Sequence, residues 1–328
     1  MIRRHIGRNG PAVNAIGLGC MGMSFAYGPT LNEKAATPLL HAALDPGVDH
    51  YDTAEMYGNG ANEQLLGAAF HDRRDKVFIA TKFGPRFDPA TNERNIDGSP
   101  ANAKRALEQS LRFLRTDRID LWYLHRRDFR RPIEETVGAM AEAVREGKVR
   151  AIGLSEVTAE TLRKAAAVHP IAAVQTEYSI FTREVEDEVL PACRELGVTL
   201  VAYSPLGRGM LTGSFSRNWK ATGWDFRESM APRFQGEAFE NNLALVEEIK
   251  RVAAELEAEP AQVALAWVLA RGDNIVTIPG TTRLANLKVN LGAADVTLTK
   301  AQTARLDTLA EKVKGDRYDP AGMRTVNG

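Results

Sequence analysis

The 328-residue chain has only two cysteines, Cys20 and Cys193, far apart and without C-x-x-C spacing. That excludes a disulfide framework and a thiolate zinc site, and both thiols are expected to be small buried hydrophobes in a reducing compartment. Charge of one sign is not in excess either: 42 Lys and Arg balance 42 Asp and Glu. The chain therefore lacks the electrostatic footprint of a nucleic-acid or anionic-membrane partner, and a small molecule is the expected partner. No apolar stretch of signal-peptide length follows Arg3 and Arg4, and no run anywhere is long enough to span a bilayer, so the expected location is the cytoplasm. Histidine is sparse and scattered. His50 and Asp52 share one strand face but no second pair stands ready, so no metal is expected and His50 is read as structural or hydrogen-bonded.

What is present is the balance of an ordinary globular protein, 44% hydrophobic and 26% charged. The length suits a single domain over residues 1–328 if that domain is a closed α/β barrel. Residues 2–6 and 11–15 flank Arg8-Asn9-Gly10 and predict a β-hairpin that caps one barrel end, because Asn-Gly supplies the positive φ angles of a tight turn. Eight short apolar runs follow: 15–21, 49–54, 77–82, 120–125, 150–155, 173–177, 199–204 and 274–279. Amphipathic stretches alternate with them at 33–44, 63–71, 100–114, 133–146, 159–167 and 184–196. Strands covered on both sides by helices imply a parallel sheet, and eight such units predict a (β/α)8 barrel. The competing architecture is a Rossmann domain with an added helical part. Against it, Gly17-x-Gly19-x-x-Gly22 begins inside the first strand, where a dinucleotide fingerprint does not belong. After the seventh strand, residues 206–240 are irregular and predict a long loop that covers a cofactor or substrate site, before a helix over 239–257.

In such a barrel the chemistry sits at the C-terminal ends of the strands. Asp52 ends the second strand, Tyr57 follows it, Lys82 ends the third and His125 the fourth. Carbonyl reduction needs hydride on carbon and a proton on oxygen. A phenol with an ordinary pKa of about 10 donates poorly unless its anion is stabilised, which an ammonium such as Lys82 would do. Asp52 would hold that ammonium, and His125 would hydrogen-bond the substrate oxygen. Taken singly, each residue has a plain structural use as a cap, a packed ring or a barrel filler.

The run Asp52-Thr53-Ala54-Glu55-Met56-Tyr57-Gly58, then Asn62-Glu63-x-x-Leu66-Gly67, resembles the signature of the aldo-keto reductase family. Thr81-Lys82, Tyr123-Leu124-His125, Gly153-Leu154-Ser155, Ala173-Val174-Gln175, the run from Tyr203 and Ser204 through Gly209, and Ile278-Pro279-Gly280 extend the resemblance in order from about Arg3 to Lys312. It implies a TIM barrel that reduces aldehydes and ketones reversibly, with Asp52, Tyr57, Lys82 and His125 as the catalytic tetrad and Tyr57 as proton donor. It further implies that Ser155 and Gln175 bind the nicotinamide carboxamide and that Tyr203 stacks on the ring. Leu206, Gly207, Arg208 and Gly209 would pass under the pyrophosphate, and Asn290 would meet the adenine. Gly280, Thr281, Thr282 and Arg283 lead into a helix near Leu284, a suitable 2′-phosphate site that favours NADPH (NADP+) over NADH. Two residues depart from the family pattern: Glu156, where many members carry Asn, and Val289, where Glu is common.

Met23, Tyr27, Met56, Phe83, Phe87 and Trp224 are expected to line an apolar pocket suited to aldehydes and hydrophobic ketones. Arg126-Arg127 and Arg130-Arg131 read as a solvated loop, with attraction of an anionic substrate as the alternative. Two other functions are compatible with the sequence: an NADPH-binding regulatory subunit, since the family resembles potassium-channel β subunits, and a barrel isomerase or metal hydrolase.

Overall fold

The computed structural model describes residues 2–88 and 93–326. Strands β1 (Arg3–His5) and β2 (Ala12–Asn14) pair antiparallel across the Asn9-Gly10 turn. Only glycine fits at residue 10, because a Cβ there would lie 1.9 Å from the Ile6 carbonyl oxygen. The chain then forms β3 (Leu18–Gly19), β4 (His50–Asp52), β5 (Phe78–Phe83), β6 (Pro85–Asp88), β7 (Glu93–Ile96), β8 (Ile119–Leu124), β9 (Val149–Ser155), β10 (Ile171–Glu177), β11 (Thr199–Tyr203) and β12 (Ile275–Thr277). Strands β6 and β7 make a second hairpin, which the sequence reading did not anticipate. The other eight lie parallel in the order β3-β4-β5-β8-β9-β10-β11-β12.

The sheet closes on itself. Gly17 N donates to Thr277 O and Thr277 N to Ala15 O, both at 2.8 Å, and Gly19 bridges Gly280. A Cβ at Gly19 would stand 2.6 Å from Ile278 O, so this seam tolerates no side chain.

Helices wrap the barrel because each offers one apolar stripe. The helix Pro100–Phe113 buries Ala103, Ala106, Leu107, Ser110 and Leu111, spaced three and four apart. It starts where Ser99 accepts from Asn102 N and Pro100 takes the first turn, which needs no donor. One expectation is corrected. The stretch 184–196 is not one helix: a 3-10 turn spans Glu184–Glu186 and the helix Val189–Leu196 follows. Pro191 explains this, since it can stand in a first turn but not inside a longer helix. A helix also forms at Pro260–Leu269, where nearly every residue is buried and no amphipathic period announces it.

Alternation along the strands divides the core. Outward residues pack on the helices, while Ala80, Leu121, Tyr123, Ala173, Val201 and Val276 fill the barrel, joined by Ile6 and Val13 of the hairpin. The hairpin therefore plugs the end where the strands begin. His50 also faces inward, its ring edge-on to Phe78 at 5.3 Å, and neither ring nitrogen has a hydrogen-bond partner among the described residues. Burial pushes its pKa down, so it packs as a neutral ring. After β11, the segment from Gly207 to Phe234 carries 3-10 turns and the short helix Phe226–Met230. Phe215, Trp219, Phe234 and Phe239 give it a small aromatic core of its own. No helix among the described residues is long and apolar enough to cross a membrane.

Candidate active site

Inward alternation delivers Asp52 from β4 and Lys82 from β5 to the same end of the barrel. Lys82 is fully buried and donates to Asp52 Oδ1 at 2.5 Å, to Thr53 O at 2.7 Å and to Tyr57 OH at 3.4 Å. The ammonium also lies 5.0 Å from the Tyr57 ring centre. His125, placed by its backbone N on Phe83 O, meets the Tyr57 ring edge-on at 5.8 Å. The four residues thus form one buried cluster. Burial first, then the Asp52 carboxylate, holds the Tyr57 phenol well above its ordinary pKa, with Arg126 pulling the other way. The lowering expected from Lys82 is therefore outweighed: desolvation favours the neutral phenol. Burial, Lys82 and Arg126 together keep His125 well below its ordinary pKa, so it too is neutral.

The start of the helix Ala61–Phe70 bolts these strand ends together. Asn62 accepts from Thr53 Oγ1 at 2.7 Å and donates to Cys20 O and Ser24 Oγ. Glu63 accepts from Thr81 Oγ1 at 2.6 Å, and burial raises its carboxyl to about 7 despite that bond.

The proposed pocket wall needs revision. Met23 is fully buried in the outer core, and Phe83 stacks on Trp122 at 4.4 Å. Strand alternation explains the second: with Lys82 pointing in, Phe83 must point out. Tyr27 lies beneath the Arg227 guanidinium and bridges Asp225, while Met56 is half-buried beside Tyr57 in the chain. The Phe87 side chain lies outside the described residues. Trp224 is 55% exposed and reaches Phe25, which in turn stacks on Tyr57 at 6.2 Å. Phe25 is thus the aromatic that the sequence reading missed. Nor is the arginine run a solvated loop throughout. Arg126 donates to His125 O and Ser155 Oγ, Arg127 to Thr161 Oγ1, and Arg130 pairs with Asp128.

On the other side of the cluster, Gln175 donates to Asp52 Oδ2 at 2.8 Å, so its amide nitrogen faces the tetrad. Tyr203 donates its hydroxyl proton to Glu156 Oε1 at 2.6 Å. In the turn after Ser204 and Leu206, Gly207, Arg208 and Gly209 all have positive φ, of 55°, 58° and 95°. The Arg208 side chain is covered, pairs with Glu177 at 2.8 Å, and lies over the Phe226 and Tyr318 rings. Beyond the neighbouring strand β12, Thr281, Thr282 and Arg283 precede the helix Leu284–Gly292, whose start has no side-chain cap on its N–H groups among the described residues. Thr282 and Arg283 are exposed, whereas Asn290 is buried and Val289 packs against the core. Successive left-handed residues turn backbone donors toward one point, and an uncapped helix start beside a guanidinium attracts phosphate. These two features fit the anionic groups of a nicotinamide dinucleotide phosphate.

The model of the Aldo/keto reductase family matches residues 15–311. A Schizosaccharomyces pombe protein named aldo-keto reductase yakc (NADP(+)) is 44% identical over 324 residues, covering 97% of this chain and 94% of that one. Among solved structures, a glycerol dehydrogenase from Gluconobacter oxydans superposes with a TM-score of 0.86 at 27% identity, covering 97% of this chain and 98% of the other. An aldo-keto reductase from Klebsiella pneumoniae, in complex with NADPH, gives 0.74 at 29% identity over 97% and 99%.

Proposed function

The chain belongs to the aldo/keto reductase family, and from that premise we propose that it is an NADPH-dependent reductase of aldehydes and ketones with Asp52, Tyr57, Lys82 and His125 at its centre. The observation that carries this reading is the Tyr57 hydroxyl set 3.4 Å from a fully buried ammonium whose other bonds go to Asp52 and Thr53. When bound, NADPH supplies the hydride to the carbonyl carbon. Tyr57 stays neutral until negative charge develops on the substrate oxygen, then gives up its proton. Lys82 stabilises the phenolate that remains, and Asp52 keeps the ammonium from turning away. Neutral His125 hydrogen-bonds the same oxygen, and the Phe25–Trp224 lip offers an apolar wall to the rest of the substrate. Gly280, Thr282 and Arg283 take the 2′-phosphate, Leu206 to Gly209 the pyrophosphate, Asn290 the adenine, and Ser155, Gln175, Tyr203 and Ser204 the nicotinamide end. We read the chain as one domain acting in the cytoplasm on a small carbonyl compound.

NADPH consumption with a panel of aromatic aldehydes, dicarbonyls and bulky ketones tests the reading. Tyr57→Phe is expected to bind NADPH normally and lose ~10²–10⁴-fold in turnover; full turnover in that variant removes Tyr57 from the mechanism. Arg283→Ala should raise the KM for NADPH about tenfold while sparing NADH, since a phosphate contact is lost. Equal loss for both cofactors assigns Arg283 a structural task instead.

A further inference from the structure

Glu156 leaves β9 in the left-handed region, with φ 53°, and its carboxylate is buried. It accepts from Glu177 N at 3.0 Å and from Tyr203 OH at 2.6 Å. Both its oxygens also face Arg317, at 3.0 to 3.3 Å. Burial alone would raise this carboxyl, but Arg317 and then Arg126 hold it below its ordinary pKa, so it is a buried anion whose one direct ion-pair partner comes from the far end of the chain.

The next residue, Tyr318, shares a 2.8 Å hydrogen bond with Tyr203. A phenol has one proton, and Tyr203 spends its own on Glu156, so Tyr318 must donate. The hydroxyl of Tyr203 is thus clamped from two sides. The segment bearing the clamp is firmly docked. Asn242 makes two hydrogen bonds to Lys314, Arg233 reaches Gly315 O, and Arg208 donates to Arg317 O at 2.8 Å while its guanidinium lies 4.4 Å from the Tyr318 ring.

We propose that Arg317 and Tyr318 are positioning residues of the cofactor site: through Glu156 they fix the Tyr203 ring as the platform for the nicotinamide, so that the C-terminal segment completes the site. This rests on the reading of Tyr203 given above. Ring rotation at the end of β11 would otherwise be limited only by packing, and Glu156 without Arg317 would be a buried charge seeking another partner.

The test uses the full chain and measures NADPH and NADH dissociation constants by cofactor fluorescence, with thermal midpoints, kcat and KM alongside. Arg317→Ala is expected to weaken both cofactors by ~10- to 100-fold, because hydrogen bonds to a charged group are lost while the 2′-phosphate contacts are untouched. Arg317→Lys should recover part of that loss. Tyr318→Phe, which removes one neutral hydrogen bond, should cost ~2- to 10-fold. Glu156→Gln added to Arg317→Ala should bind cofactor better than Arg317→Ala alone, since the stranded charge is gone. A lowered thermal midpoint with unchanged dissociation constants would overturn the proposal and leave the segment a structural strap. Should Arg317→Ala fail to fold, Arg317→Lys and Tyr318→Phe decide the matter by the same constants. Wild-type protein that binds NADPH but reduces no carbonyl would sink the reductase reading while the binding constants still judge the clamp; wild-type protein that binds no NADPH overturns both.

Discussion

The two ends of the barrel differ in how they bury polar groups. At the hairpin end, polar groups are matched mainly to backbone, the buried Asp120 carboxylate between Arg74 and Arg150 being the exception. Arg4 donates to the Leu269 and Ile275 carbonyls, Thr199 Oγ1 sits between Gly7 N and His5 O at 2.8 Å each, and Asp49 accepts from Asn14 N and Arg3. At the other end, whole charges are buried against one another: Lys82 with Asp52, Arg208 with Glu177, Arg317 with Glu156. His125 even keeps a buried Nδ1 without a partner. The first arrangement stabilises a closed barrel; the second costs desolvation and is tolerated where chemistry needs groups with shifted proton affinities.

That contrast can be broken most forcefully at Lys82. Lys82→Met strands the Asp52 carboxylate, with Gln175 as its main remaining side-chain donor, and should lower stability by about 3–5 kcal/mol in urea titration as well as abolish turnover. Adding Asp52→Leu should restore most of the stability and none of the activity. A single variant as stable as the parent would show that the pair is not truly desolvated.

Glu63 sharpens the comparison by pH. Its carboxyl rises from the ordinary 4.5 to about 7 in the folded chain. A group raised on folding contributes stability at low pH that is lost as pH climbs through its folded value. Glu63→Gln lacks that loss, so its stability relative to the parent should grow between about pH 4.5 and 7 and level off above, by on the order of 3 kcal/mol. A pH-independent difference would mean the buried carboxyl is not destabilised. The smallest expected effect lies at the plugged end. Arg4→Ala leaves two buried carbonyls short of a donor and should cost about 1–3 kcal/mol with kcat unchanged, and a fall in kcat would mean the ends are coupled.

Much of this was legible in the residues. The Asn9-Gly10 turn, the Ser99-Pro100 helix start and all eight barrel strands were placed by local rules, because turn chemistry, capping and alternation act over a few residues. The clustering of Asp52, Tyr57, Lys82 and His125 was legible for the same reason: strand ends fix where Asp52, Lys82 and His125 emerge. What local rules cannot carry went unread. Pro260–Leu269 is apolar all round and has no period to detect. Phe83 was misplaced by one step of the strand alternation. Glu156 stood out as a departure from the family pattern, but its partner Arg317 lies 161 residues further along the sequence, and only the closed fold brings the two together.

The glycine seam has a consequence for how the chain is made. Ile16 pairs with Thr277 and Gly19 with Gly280, so the first barrel strand waits, through synthesis of every other strand of the barrel, for the neighbour that completes its ladder. Until then β3 is an open edge, the kind of surface that adds strands from other molecules. During translation the nascent protein is thus an unfinished ring, and its exposure to misassembly ends only when the ribosome has delivered the last strand.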